Sequence, residues 1–208
     1  MIEKKQFYIN GKWVDSINQN DLDVIDPSNE EVCAVISLGD SEDTNLAVES
    51  AKKAFPIWSS TSKKERIKLL ENLYEIYKSR WNKMAESISL EMGSPIDWSI
   101  EEQSSSGANH IKNFIKTLKN FEFESEFNSE SNNYITYEPI GVCALITPWN
   151  WPINQITLKV IPALAAGCTM SLKPSEIAPL SAIVFAEMIH DAGFPPGVFN
   201  LVNGNGDG

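Results

Sequence analysis

Residues 141–176 read GVCALITPWNWPINQITLKVIPALAAGCTMSLKPSE, and their pattern decides the fold. The run GVCALIT, 141–147, is apolar throughout, as expected of a strand covered on both faces. Pro152 to Ala166 then forms an apolar helix, with Pro152 in its first turn and Gly167 just past its end. CTMSLK, 168–173, returns as a second strand. Pro179 opens another helix, which stops at Gly193, and GVFNLV, 197–202, makes a third strand before NGNGDG. Strand, helix, strand, helix, strand is one βαβαβ half of a parallel, Rossmann-like sheet, with right-handed crossovers expected. The fold class is therefore α/β, a parallel sheet with flanking helices.

Upstream the pattern changes twice. QFYINGKWV, 6–14, predicts a hairpin turning at Asn10-Gly11, and EEVCAVISL, 30–38, another strand. Ser41 opens a helix with Ala47, Ala51, Ala54 and Phe55 at helical spacing, and Pro56 marks its end. After Ser62 one periodic pattern runs through Ile67, Leu70, Leu73, Tyr74 and Tyr77. Met84, Ile88 and Met92 extend it until Gly93 and Pro95 break it. A further helix is expected over Ile100–Leu118. FEFESEF, 121–127, then alternates with period two. Phe121, Phe123 and Phe127 share one face and Glu122, Glu124 and Glu126 the other, which predicts a half-buried strand. NSESNN reads as a turn and YITY as the returning strand. A plain edge hairpin and an arm that pairs with another subunit both fit this pattern. The chain thus divides into strands and helices over 1–120, a protruding β-hairpin arm over 121–139, and the first, incomplete half of the parallel sheet over 140–208.

Composition narrows the function. Apolar residues make up 42% of the 208, enough for a substantial core. The formal net charge is −11, which argues against nucleic acid and against an anionic membrane surface. No run approaches the roughly 20 apolar residues of a membrane span, and the first ten residues lack the apolar segment of a secretory signal. A cytoplasmic location is expected. Cys33, Cys143 and Cys168 form no CxxC pair, and His110 and His190 have no partners at ligand spacing, so no metal is expected. Each cysteine falls in a strand pattern and reads as a small buried hydrophobe.

In parallel α/β sheets ligands gather at the carboxyl ends of the strands. Three such ends occur here: TPWN after the first strand, KPSE (Lys173 to Glu176) after the second, and NGNGDG after the third. Each alone has a plain structural explanation: a helix entry with buried aromatics, a solvated lysine, a glycine turn. Together, in this order and on one sheet edge, they point to a nucleotide.

The same residues carry a family resemblance. The stretch 141–176 closely resembles the cofactor-domain signature of aldehyde dehydrogenases. The resemblance extends through AGFPPGVFNLVNG and, more loosely, back to FYINGKWV. It implies a truncated aldehyde dehydrogenase-like fold and an NAD-dependent oxidoreductase that turns an aldehyde into a carboxylate. By resemblance, Asn150 is the oxyanion donor and Lys159 a possible member of a proton relay. Lys173 and Glu176 match the pair at the adenosine ribose, with Ser175 between them in the same cofactor loop. Ile146, Thr147, Pro148 and Trp149 match the wall beside the nicotinamide ribose, and Gly206 a glycine under the cofactor. Gln155 and Leu158 fall on the substrate tunnel, and residues 121–137 match an oligomerisation hairpin. The cofactor so implied is NAD, with NADP disfavoured by the carboxylate of Glu176.

Family members carry a nucleophilic cysteine and a general-base glutamate in later segments, which the 208 residues do not contain. The chain alone is therefore expected to be catalytically incompetent. The alternatives are a non-catalytic nucleotide-binding or oligomerisation module, or the product of an interrupted gene.

Overall fold

A computed structural model describes residues 1–128 and 132–206. Strands β1 (Ile2–Lys4), β4 (Asp21–Asp26) and β5 (Glu31–Ser37) form a small sheet in the order β1-β5-β4. Strands β2 (Gln6–Ile9), β3 (Lys12–Asp15), β8 (Val142–Ile146), β9 (Thr169–Lys173) and β10 (Phe199–Leu201) form the main sheet, in the order β3-β2-β10-β9-β8. Strands β8, β9 and β10 are parallel, as the βαβαβ reading requires. The sheet as a whole is mixed, because β2 runs antiparallel to β10 and carries β3 with it. That hairpin turns at Asn10 and Gly11, both at positive φ (53° and 74°), as the Asn-Gly pair predicts.

Seven helices belong to the described residues: α1 (Ser41–Ser59), α2 (Lys63–Ser79), α3 (Trp81–Met92), the short α4 (Ile96–Trp98), α5 (Ser104–Asn120), α6 (Pro152–Ala166) and α7 (Leu180–Asp191). Helix α1 covers one face of the main sheet, where Phe7, Ile9 and Val202 meet Ala47. The alternate residues face the other way. Tyr8 and Phe199 pack against α7, with Phe199 edge-on to Phe185 and the Tyr8 hydroxyl 3.1 Å from His190 Nδ1. One strand thus feeds two cores, because its side chains alternate. The larger core continues through Ile153, Ile156, Val160 and Leu164 of α6 to Leu70, Leu73 and Tyr77 of α2 and Ile111 of α5.

Several expectations need correction. Helix α1 does not stop at Pro56 but runs to Ser59. Proline removes one hydrogen bond near the helix end, while the burial of Trp58 against Phe194 holds the last turn in place. The pattern after Ser62 is two helices, broken where Arg80 leaves helical geometry (φ −112°, ψ 20°) and its guanidinium meets Asp191 of α7. The helix expected from Ile100 begins earlier, at Ile96, and passes through a π-helical turn at Ser99–Gln103 before α5.

The hairpin strands β6 (Glu124–Glu126) and β7 (Tyr134–Thr136) are exposed along their whole length rather than half-buried. They pair with each other and with no other described strand. Only Phe123, just before β6, is packed inward, under the Arg66 guanidinium (5.1 Å). The turn expected over 128–133 includes residues 129–131, which lie outside the described residues. The apolar run at 142–146 is an edge strand, not one covered on both faces. Among the described residues β8 pairs only with β9, and Ala144 and Ile146 are exposed.

Candidate functional site

The carboxyl ends of the parallel strands open on a cleft of about 170 Å³. Its walls come from Ala144 and Ile146 of β8, Lys173 of β9 and residues 202–205 after β10, with Gly39, Thr44 and Val48 from the start of α1 closing one side. The Lys173 ammonium donates to Glu176 Oε2 at 3.1 Å and to the Gly204 carbonyl at 2.7 Å. It thereby ties the loop after β9 to the loop after β10. Burial raises the Glu176 carboxyl, but its own backbone N–H and the Lys173 ammonium outweigh that and hold it below the usual carboxylate range. Ser175 is buried, and its Oγ accepts from the Ile177 N–H at 3.3 Å while its carbonyl accepts from Ala178 N–H at 3.2 Å. It shapes the loop from within.

Asn203 was not singled out by its sequence, yet it lines the cleft. Its side chain is fully buried, and neither Oδ1 nor Nδ2 has a partner among the described residues. An unpaired buried amide is costly, so this wall holds a polar group in want of one. Its sequence signal is faint: an asparagine directly after the strand segment FNLV.

The TPWN turn stands beside the cleft rather than in its lining. Thr147 is buried and its N–H donates to the Lys173 carbonyl at 3.1 Å, extending the ladder by one residue. Pro148, Trp149 and Asn150 are exposed. The Trp151 N–H closes a three-residue turn on the Trp149 carbonyl (3.1 Å), with Asn150 at its centre. Trp151 takes φ 135° and ψ 61°, a conformation a bulky side chain rarely adopts. Two contacts hold it there. Its Nε1–H donates to Ser106 Oγ at 3.1 Å, and its ring meets Trp98 edge-on at 6.4 Å. Its carbonyl then accepts from the Gln155 N–H (3.1 Å) to start α6. Strain beside an exposed asparagine is the pattern of a functional turn. Ser106 and Trp98 have no periodic signal that marks them in the sequence.

Gln155, Leu158 and Lys159 share one face of α6, opposite the buried Ile153, Ile156 and Val160. Leu158 is 41% exposed. Lys159 Nζ lies 3.4 Å from both the carbonyl and Oε1 of Gln155. No hydrogen bond joins this face to Asn150 among the described residues. Gly206 is exposed, with no described atom within 4 Å of where a Cβ would stand, so no packing demands glycine there. Ile146 and Lys173 therefore line the cleft, Glu176 borders it through Lys173, and the other residues named from sequence lie outside its lining.

Cys168 is buried as expected, whereas Cys33 and Cys143 are only half-buried. Cys33 Sγ donates to the Val24 carbonyl, and burial pushes its thiol up. Burial likewise raises the Cys143 thiol, to about 11. Among the described residues no cluster of His, Cys, Asp and Glu could hold a metal, and no helix is long and apolar enough to cross a membrane.

Fold and cleft are those of an α/β protein with an opening at the carboxyl edge of its parallel strands, where such sheets gather ligands. The chain belongs to the aldehyde dehydrogenase family, whose profile matches residues 13–208. It is 46% identical over 209 aligned residues to a 3-succinoylsemialdehyde-pyridine dehydrogenase of a Pseudomonas species, covering all of this chain and 43% of that one. An aldehyde dehydrogenase from Bartonella henselae superposes with a TM-score of 0.97 at 55% identity, over 99% of this chain and 44% of the other. Aldehyde dehydrogenase C of Pseudomonas syringae, solved as a cysteine-to-alanine mutant with NAD+ and octanal, superposes at 0.94 with 46% identity. That match covers 97% of this chain and 41% of the other. The chain thus spans rather less than half the length of the relatives it matches.

Proposed function

We propose that this chain is the nucleotide-binding portion of an NAD-dependent aldehyde dehydrogenase, with Lys173, Ser175 and Glu176 forming the adenosine ribose loop and Asn150 donating to the substrate oxygen. The observation that carries the reading is the cleft wall. Lys173 joins Glu176 to the Gly204 carbonyl there, beside the unpaired amide of Asn203. A ribose diol both donates and accepts, and an ammonium–carboxylate pair offers both partners. The residues present therefore fit a dinucleotide. Glu176 would meet a 2′-phosphate as like charge, so NAD is favoured over NADP.

When bound, the dinucleotide supplies the hydride acceptor. The chain's own residues bind and aim. The Asn150 amide is a neutral donor that cannot titrate, and such a donor is worth roughly 3–4 kcal/mol to a developing oxyanion. Ile146, Thr147, Pro148 and Trp149 form the wall beside the nicotinamide ribose, and Gly206 leaves room for the cofactor. Gln155 and Leu158 face the aldehyde, and Lys159 serves a proton relay. The octanal bound by the P. syringae relative supports an aldehyde as substrate.

The arm supports assembly into a homo-oligomer. Phe127, Tyr134, Ile135 and Tyr137 are all exposed on it, an apolar surface that a second subunit can cover.

Calorimetry of the chain with NAD and NADP, alongside sizing in solution, tests both parts. Expected are a heat signal with NAD that weakens about tenfold in Glu176→Gln, a weaker signal with NADP, and a particle larger than a monomer. Equal affinity for the two nucleotides would refute the role of Glu176. A monodisperse monomer would refute the arm.

A further inference from the structure

Helix α7 begins behind Pro179, which has no side chain able to cap it, and no residue of its own first turn is acidic. The first N–H groups of any helix need partners from outside. Here Leu180 and Ser181 are buried away from water. Their N–H groups donate instead to Glu91 on α3, Leu180 to Oε2 and Ser181 to Oε1 at 3.1 Å. Glu91 is 1% exposed, and no cationic side chain is among the groups that hold it. A carboxylate buried without a cation is unfavourable unless its oxygens are satisfied. Two N–H donors and the positive end of a helix offset part of that cost here.

The placement matters because residues 174–179 join β9 to α7. Lys173 fixes the start of that connection through Gly204, and Ser175 shapes its middle. Only the α7 end remains, and Glu91 holds it. We infer that Glu91 is the long-range N-cap of α7 and, through it, the positioning residue for the loop that carries Ser175 and Glu176. The inference rests on reading that loop as the nucleotide contact.

The test compares the 208-residue chain with Glu91→Gln, which replaces one acceptor by a donor facing an N–H, and Glu91→Asp, which keeps the charge on a shorter arm. Amide exchange across residues 174–184 and calorimetry with NAD are read independently. In Glu91→Gln, exchange at Leu180 and Ser181 is expected to quicken at least about tenfold and NAD binding to weaken about tenfold. Glu91→Asp restores part of both. Lys173→Met, as a control, weakens NAD binding and leaves exchange at Leu180 and Ser181 unchanged. Wild-type exchange in Glu91→Gln would overturn the inference, and so would faster exchange with unaltered NAD affinity. If Glu91→Gln fails to fold, Glu91→Asp carries the same readouts, with smaller shifts in the same direction. A wild-type chain that gives no heat with NAD removes the nucleotide reading, and exchange then decides the cap alone.

Discussion

Burial lifts the Glu91 carboxyl from its ordinary 4.5 to about 7, against the pull of the Ser181 hydroxyl and of the Ser181 and Leu180 N–H groups. Its folded value lies above its unfolded one. Its contribution therefore favours the folded state fully below about pH 4.5 and is lost as pH rises through about 7. The difference is on the order of 3 kcal/mol. Urea titrations are expected to show wild-type stability falling between about pH 4.5 and 7, and Glu91→Gln flattening that fall. Asp21, Asp26 and Glu65, held below the usual range by hydrogen bonds, change stability only at more acid pH. An unaltered slope in Glu91→Gln would place its origin elsewhere. Site residues of this kind are the least legible in sequence. Lys173 and Glu176 stand in one short loop, three residues apart. Glu91 meets backbone groups 89 and 90 residues further along, and an N–H leaves no mark in the residue type that bears it. Asn203 became visible only when the fold left its amide without a partner.

Helix α6 was readable from end to end, because its limits are written locally in Pro152 and Gly167. Gly167 takes φ 89°, and its N–H closes on the Ala163 and Leu164 carbonyls. An alanine there would adopt a conformation it resists, with its Cβ 2.8 Å from Arg66 Nη1 and 3.0 Å from Pro139 Cγ. That guanidinium is buried and donates to the Ala165 carbonyl at 2.9 Å, so it cannot move aside without freeing the helix end. Gly167→Ala is expected to lose roughly 1–3 kcal/mol, read as a lower thermal midpoint. A midpoint equal to that of the wild type would show that the turn relaxes freely. Elements whose limits depend on distant partners were harder to read. The end of α1 is decided by Trp58 under Phe194, not by Pro56. The break at Arg80 has no glycine or proline to announce it. The run at 142–146 shows that apolar composition reports a strand without reporting how many of its faces are covered, and here Ala144 and Ile146 leave one face of β8 open.

Across the molecule, the Cys143 and Cys168 thiols lie at the end of the main sheet opposite the carboxyl edge that opens on the cleft. Cys143 sits near the start of β8, three residues before Ile146, which is about 10 Å along a strand. Cys168 immediately precedes β9, five residues and roughly 16 Å from Lys173. Cys33 belongs to the other sheet, hydrogen-bonded to Val24. In the role proposed for Asn150, a nucleophile must stand at the carboxyl edge, within bonding reach of the aldehyde's carbonyl carbon. None of these sulfurs is placed there, and the raised Cys33 and Cys143 thiols are poor nucleophiles as well. The 208-residue chain mixed with NAD and an aldehyde such as octanal is therefore expected to form no NADH above a buffer control, followed by ultraviolet absorbance, even where calorimetry detects binding. An aldehyde-dependent signal that disappears in Cys143→Ser or Cys168→Ser would mean that a strand-start thiol does reach the Asn150 turn, and the separation argued from the sheet would be wrong.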